Sequence, residues 1–436
     1  MEFQNCVRNA FGKCDLPACT VRRIKDGFKR LGLHPEYASF RVSDNIYWGR
    51  VWIDAIRIVC VGKGVTPELA EASAYAELAE RFSAGLFYPV FEEQVRYNVP
   101  ALYDGPTRRF LHGEWMNGYV RAHQDDLDNA LTLEALLENE RHLNPEDIKD
   151  IKNSRMAQHW VDGFSILQDR MLKVPVNFVT YIHASNGLAA GNTLEEALIQ
   201  ASCEIFERHA QIHTIKPERV VPSVDPASIA HPVIENMIAF YRKNRVSVVI
   251  KHLCPEGVLP VLGVLFINKN LPADRLEYRI LIAGASFHSD EAITRCFTEG
   301  MQGRKSLESP RPELDRPVVP ASRVDNYYLL MKCGICPKDI GFLEQGEQIS
   351  YQATTCPDVL SEIEAIRAIC KKLDTDCILL DLTHPVLDFP VVRVIMPGVS
   401  DFLPFLRPDI LVSKATRPSA VWRGEEFIGV MESFFS

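Results

Sequence analysis

Long apolar runs are missing from this chain; none approaches the roughly 20 residues that a membrane-crossing helix needs. The opening residues, MEFQNCVRNAFGKCD, hold no apolar core of a signal peptide, so a cytoplasmic location is expected. A basic surplus is missing too. The net charge of −9 excludes a general nucleic-acid binder but leaves room for local basic pockets. No Walker A loop, kinase glycine loop or Rossmann fingerprint is present, so these residues do not build an ordinary nucleotide fold. Low-complexity tracts and short-period repeats are also lacking. The rest is ordinary globular composition, 47% hydrophobic and 24% charged over 436 residues, enough for one large core or a few subdomains.

The 12 cysteines are scattered. Cys60, Cys203 and Cys296 sit inside apolar patterns, so buried reduced thiols are expected. Cys333 and Cys336 in KCGICP have C-x-x-C spacing, but a metal site needs two more ligands, and only Cys356 stands near as a third. A structural loop is the expectation there, with redox or metal chemistry as the alternative. His209 and His213, at i and i+4, lack the flanking glutamate pattern of a metal helix and read as a solvated helix end.

Residues 20–33 read as a basic amphipathic helix stopped by Gly32, followed by one or two strands ending in a Gly-Lys-Gly turn. A helix then starts at Thr66-Pro67, with Thr as N-cap and Pro at the first helical position. Residues 100–160 are charged and helix-prone, which suggests a helical insertion. VPVNFVTYIHASNGLAAGNT reads as a strand and a small-residue loop before a second helix. VSVVIKHL, LPVLGVLFI and YRILIAGASF follow as strands at hairpin-like spacing, then a third helix over DEAITRCFTEGMQGRKSL. DCILLDLT and PVVRVIMPG are later strands, and the tail over 414–436 is expected to be helical.

Each of the three helices carries a polar stripe. Ser73, Glu77 and Glu80 fall within about 60° of arc at 100° per residue, and Glu196, Glu204 and Glu207 within about 80°. Arg295, Glu299 and Gln302 share a face of the third. A single glutamate stripe is usually a solvated face. Three, each after an apolar strand and a glycine turn, call for a shared target. Carboxylates converging in a cleft repel one another unless cations neutralise them, and Mg²⁺ with phosphates is the usual partner. The turns GKG and SNGLAAGN would let backbone N–H groups approach those phosphates. Lys13, Arg23 and Lys63 would balance the remaining charge.

GKGVTPELAEASAYAELAERFSAGLFY, SNGLAAGNTLEEALIQASCEIFERHA and AITRCFTEGMQGR resemble the three signature segments of the YcaO family. The early GKCDLPACTVRRIKDGFKRLGL and the late VVRVIMPGVSDF resemble it too, so the likeness runs through nearly the whole chain. Among its members the chain looks closest to those linked to β-methylthiolation of a small-subunit ribosomal protein. The resemblance implies an α/β (α+β) fold, mainly antiparallel sheet with helices around a central nucleotide cleft. Residues 1–45 would be a nucleotide-contacting helical element and 46–430 the main domain. The cofactors implied are ATP and Mg²⁺. Glu77, Glu80, Glu204 and Glu207 would hold the metal ions against the phosphates. Ser73, Asn192, Glu196, Arg295 and Glu299 would complete the nucleotide site, with Lys13, Thr20 and Arg23 from the N-terminal element and Gln302 and Arg304 from the third motif. Arg304 would lie opposite Arg295 on a continuous helix, so its role requires the helix to end first.

The activity implied is ATP-dependent O-phosphorylation of a peptide backbone amide, for thioamide formation or other sulfur insertion. The alternative is an ATP-binding accessory factor without chemistry of its own. Implied partners are a peptide or protein substrate, a sulfur donor, thioamide-associated protein or methylthiotransferase, and a second copy of the chain. No direct nucleic-acid or membrane contact is implied. Three departures stand out. Ala189 replaces a serine of close relatives, the Pro-x-Pro-x-Pro ending of azoline-forming members is not found in the tail, and the helical repeat domain of a longer bacterial relative is expected to be lacking.

Overall fold

Alternating apolar residues from Glu36 onward build an antiparallel meander of β1 (Glu36–Ser43), β2 (Ile46–Ile53) and β3 (Ile58–Gly64). The computed structural model describes all residues except 57, 86–115, 138–144, 184, 305, 306, 308–329, 331, 332, 337, 338 and 401–436. The expected C-terminal helix over 414–436 lies outside the described residues. Helix α1 (Pro17–Arg30) precedes this meander, and α2 (Pro67–Ser83) packs across β2, β3 and α1.

The described part of 100–160 holds two short helices, α3 (Leu133–Leu136) and α4 (Pro145–Asn153), but also β4 (Val120–Arg121) and the start of β5 (His159–Ser165). It is not a purely helical insertion. Leu133, Leu136 and Ile151 share one core cluster with Leu172, Val174 and Ile378. After β6 (Arg170–Pro175) comes a correction: the run Val176–His183, expected as strand, is helix α5. A short apolar run does not reveal its period. Here Val176, Phe178, Val179 and Ile182 are all buried, while Asn177 and Thr180, three residues apart, stay half-buried on the helix edge.

Next come β7 (Leu188–Ala190), the long α6 (Leu194–Ile215), β8 (Ser223–Val224) and α7 (Pro232–Lys243). The hairpin-spaced strands are β9 (Val246–His252), β10 (Val261–Asn268) and β11 (Arg279–Ala285), antiparallel throughout. Then follow α8 (Ser289–Glu299), β12 (Gln348–Ile349), α9 (Val359–Lys372), β13 (Ile378–Asp381) and β14 (Val391–Ile395). A five-stranded sheet runs β11-β10-β9-β8-β12, and a six-stranded one runs β4-β5-β13-β14-β7 with β6 on β5. Only β12 on β8 pairs in parallel among the described strands. The fold is mixed α/β with antiparallel sheets, and the described strands close no barrel.

Helix α6 lies between the sheets, touching β11 on one side and β7 and β14 on the other. Helix α2 reaches β7 and β14, while α8 sits on β10 and β11 and touches β2 and β3. The three stripe-bearing helices are thus joined through shared strands, α6 and α8 through β10 and β11, α6 and α2 through β7 and β14. No helix among the described residues is long and apolar enough to cross a membrane. Cysteine use departs from expectation at one point. Cys6 and Cys14, with Cα atoms 5.8 Å apart, form a disulfide beside a turn at Gly12 (φ +70°). Cys333 and Cys336 are buried within the core.

Candidate functional site

Helix α2 starts where Thr66 caps it, accepting from Leu69 N at 3.3 Å, and the glycines of β3 let it lie close on that strand. A Cβ at Gly62 would stand 2.0 Å from Ala74 N. Glycine is needed there for helix–strand approach, and it lies within β3 rather than in a turn. Helix α6 is capped in the same way by Thr193, which accepts from Glu196 N at 3.1 Å. A Cβ at Gly191 would stand 2.4 Å from Ala197 N. Helix α8 ends at Glu299, with Gly300 as its cap, so the helix expected to continue through residue 307 is shorter. Gln302 therefore leaves the helical stripe, and its Nε2 donates to Val61 O at 2.9 Å on β3.

The stripes converge. On α2, Arg81 lies 3.4 Å from Glu77 and 3.4 Å from Glu80. On α6, Arg208 Nη2 lies 2.6 Å from Glu204 Oε1. Lys63 of β3 pairs with Glu299 of α8, and Lys63 N donates to Ser73 Oγ at 3.3 Å. Arg295 Nη1 donates to Gln200 Oε1 at 2.8 Å, bridging α8 to α6.

The N-terminal element closes the other end of α6. Buried Thr20 donates to Asn192 Oδ1 at 2.7 Å, and Arg23 Nη1 to Asn192 O at 3.0 Å. Asn192 Nδ2 in turn donates to Glu196 Oε2 at 3.2 Å, which also accepts from Cys14 N at 3.1 Å. Lys13 Nζ stands 3.4 Å from Glu291. Arg304 turns elsewhere: it is 6% exposed, donates to Leu307 O at 2.8 Å, and its carbonyl accepts from Trp48 Nε1 at 2.9 Å.

Several contributors escape the stripe pattern. Glu291 precedes Arg295 by four residues, so extending the third stripe backward by one turn reaches it. Arg8 and Glu362 carry no such signal. Glu362, on α9, is 1% exposed and pairs with both Arg8 and His288 Nε2, the latter at 3.1 Å. Arg8, Lys13, Glu196, Gln200, Glu291 and Arg295 line a small cavity of about 20 Å³.

The electrostatics register the crowding. Burial raises the Glu80 carboxyl to about 8, with Glu204 and Glu77 adding to it and Arg81 opposing. Burial and then Glu299 raise Glu207 to about 7, against Arg295. Burial works upward on Glu291 too, but Lys13, Arg295 and the Ser286 hydroxyl outweigh it and hold the group at about 2. Burial pushes the Cys203 thiol up to about 12, so it is no thiolate nucleophile near neutral pH. His209 and His213 stack at 4.2 Å, and burial lowers His209 to about 4.

The acidic donor set consists of carboxylate oxygens, which suits a hard divalent cation. Among the described residues no three His, Cys, Asp or Glu are grouped to hold a metal by themselves. Mg²⁺ commonly takes only one or two carboxylates and completes its shell with phosphate oxygens and water. The residues fit that mode.

The family described as YcaO cyclodehydratase, ATP- and Mg²⁺-binding, matches residues 61–400. The chain is 24% identical over 439 residues to the ribosomal protein S12 methylthiotransferase accessory factor YcaO of Escherichia coli, covering 95% of this chain and 71% of that protein. The structure of YcaO from Methanopyrus kandleri bound with AMPPCP and Mg²⁺ superposes with a TM-score of 0.56 at 20% identity, over 92% of this chain and 96% of that one. A heterocyclase in complex with substrate and cofactor gives 0.61 at 19% identity, over 92% of this chain and 54% of the heterocyclase. At these identities the two structures speak for the fold.

Proposed function

The chain belongs to the YcaO family, an ATP- and Mg²⁺-binding family, and from that premise we propose that it binds Mg·ATP between α2, α6 and α8 and activates a peptide backbone amide. The observation that carries this reading is the convergence of Glu77, Glu80, Glu204, Glu207 and Glu299 from three helices on one another's charge. Glu77, Glu80, Glu204 and Glu207 would hold Mg²⁺. Ser73, Asn192, Glu196, Arg295, Glu299 and Gln302, with Lys13, Thr20 and Arg23, would hold the nucleotide. When bound, Mg·ATP supplies a transferable phosphoryl group and charge to stabilise its transfer.

The chain's own residues do the positioning. Asn192 ties the N-terminal element to α6, and Arg295 spans α8 and α6 through Gln200. Arg295 and Lys63 bring fixed positive charge to a half-buried cleft, where developing negative charge on phosphoryl oxygens is stabilised most. An amide oxygen leaves poorly; carried off as phosphate it leaves well. A sulfide-level nucleophile adding to the carbon and expelling that phosphate would leave a thioamide.

The name of the Escherichia coli relative favours a second reading, an accessory factor that binds ATP and a client protein without modifying it. Calorimetry tests the first requirement: Glu77→Gln and Glu204→Gln should each weaken Mg·ATP binding by about 100-fold or more while the circular dichroism stays unchanged. Unchanged affinity in both variants contradicts the proposal. With a peptide substrate labelled by ¹⁸O in its amide, the enzyme reading requires the label in released phosphate, and the accessory reading requires none.

A further inference from the structure

Every carboxylate expected to meet the metal from α2, and Glu204 from α6, already has a guanidinium beside it. Arg81 lies 3.4 Å from Glu77 and from Glu80, and Arg208 lies 2.6 Å from Glu204. The third guanidinium is in the core. Arg393 of β14 is 1% exposed, donates to Asn186 O at 3.3 Å, and sits within the field of Glu80 and Glu204. Asn186 links two of the three, since its Oδ1 accepts from Arg208 Nη1 at 3.4 Å. Its own Nδ2 is anchored to Ser400 O at 2.8 Å. Glu299 is served by Lys63.

These arginines are not solvent-facing ornaments of a helix. The Arg81 and Arg208 side chains keep 15% and 17% of their exposure, so their ion pairs are poorly screened. The Glu77 and Glu204 carboxylates and the buried Glu80 carboxyl thus stand against three guanidiniums, and that patch carries no net negative charge among the described residues. A bare divalent cation approaching it meets no net attraction and must displace a guanidinium from the carboxylate it would ligate. A nucleotide triphosphate changes this balance, because its oxygens give the guanidiniums a second anionic partner of matching fork geometry.

Resting on the Mg·ATP reading above, we infer that Arg81 and Arg208 are positioning residues that make divalent-metal binding depend on the nucleotide. The arginines hold the carboxylates in place and withhold them from metal alone. They release them when the phosphates arrive. Metal therefore enters with the nucleotide and not before it.

Mn²⁺ binding, followed by the free-ion electron paramagnetic resonance signal with and without AMPPCP, tests this on the full chain. Wild type should bind Mn²⁺ weakly alone and tightly with AMPPCP. Arg208→Gln and Arg81→Gln should each tighten nucleotide-free Mn²⁺ binding at least about tenfold, and Arg208→Lys should restore the wild-type dependence. A merely structural arginine would not improve metal binding when removed. Should Arg208→Gln fail to fold, Arg81→Gln carries the same comparison, with circular dichroism as the control. Tight Mn²⁺ binding by wild type without nucleotide overturns the inference. So does unchanged nucleotide-free binding in folded variants that still bind Mn·AMPPCP. A wild type that ignores Mn·AMPPCP altogether sinks the Mg·ATP reading itself, which separates the two failures.

Discussion

Glu80 shows how strongly burial acts on a single residue of the stripe. Burial lifts its carboxyl from 4.5 to about 8, although Arg81 opposes the rise. Between those two values the folded chain binds more protons than the unfolded one, so stability falls as pH rises through that window. Below it, both states are protonated and the contribution is fully present. Glu80→Gln removes this dependence. In magnesium-free buffer the wild-type melting temperature should drop relative to that of the glutamine variant as pH is raised from about 5 to about 8.5. Parallel profiles for the two proteins contradict the assignment. The stripe residues themselves were legible in the sequence, because helical spacing fixes which side chains share a face. Arg8 and Glu362 were not. Their pairing joins an irregular N-terminal segment to a helix 354 positions away, and no local period encodes such a distance.

At the scale of elements, capping and close packing do the placing. Thr66 announces α2 in the sequence and is its observed cap, and Thr193 caps α6 in the same way. The end of α8 was less readable, since a helical pattern continues past Gly300 while the chain turns there and again at Gly303 (φ +74°). Helix α5 was misread because a buried apolar run looks alike in strand and helix. Gly62 offers an element-level test. A methyl group there would meet the α2 backbone at 2.0 Å, and backbone cannot swing away as a side chain would. Gly62→Ala should cost about 3 kcal/mol in urea unfolding by forcing α2 off β3. The same change should weaken Mg·AMPPCP binding, because Ser73, Glu77 and Glu80 move with the helix. A variant of unchanged stability would show that the contact relaxes freely.

Across the whole molecule, α6 is the organising element. It runs between the five- and six-stranded sheets and presents Glu196 towards the N-terminal element, with Glu204 and Glu207 further along. The sequence conveys the antiparallel strands and three acidic helices, and resemblance to the YcaO family joins them into one site. The i,i+4 spacing of Glu77 to Arg81 and of Glu204 to Arg208 already gives these acids an arginine each, whereas the burial of the pairs is seen only in the fold. The central claim is that α2, α6 and α8 jointly bind one metal-bound triphosphate. A crystal structure of this chain grown with Mg·AMPPCP tests it most directly. The account predicts triphosphate and metal density bounded by Glu77, Glu80, Glu204, Glu207 and Glu299; nucleotide bound away from these carboxylates would contradict it.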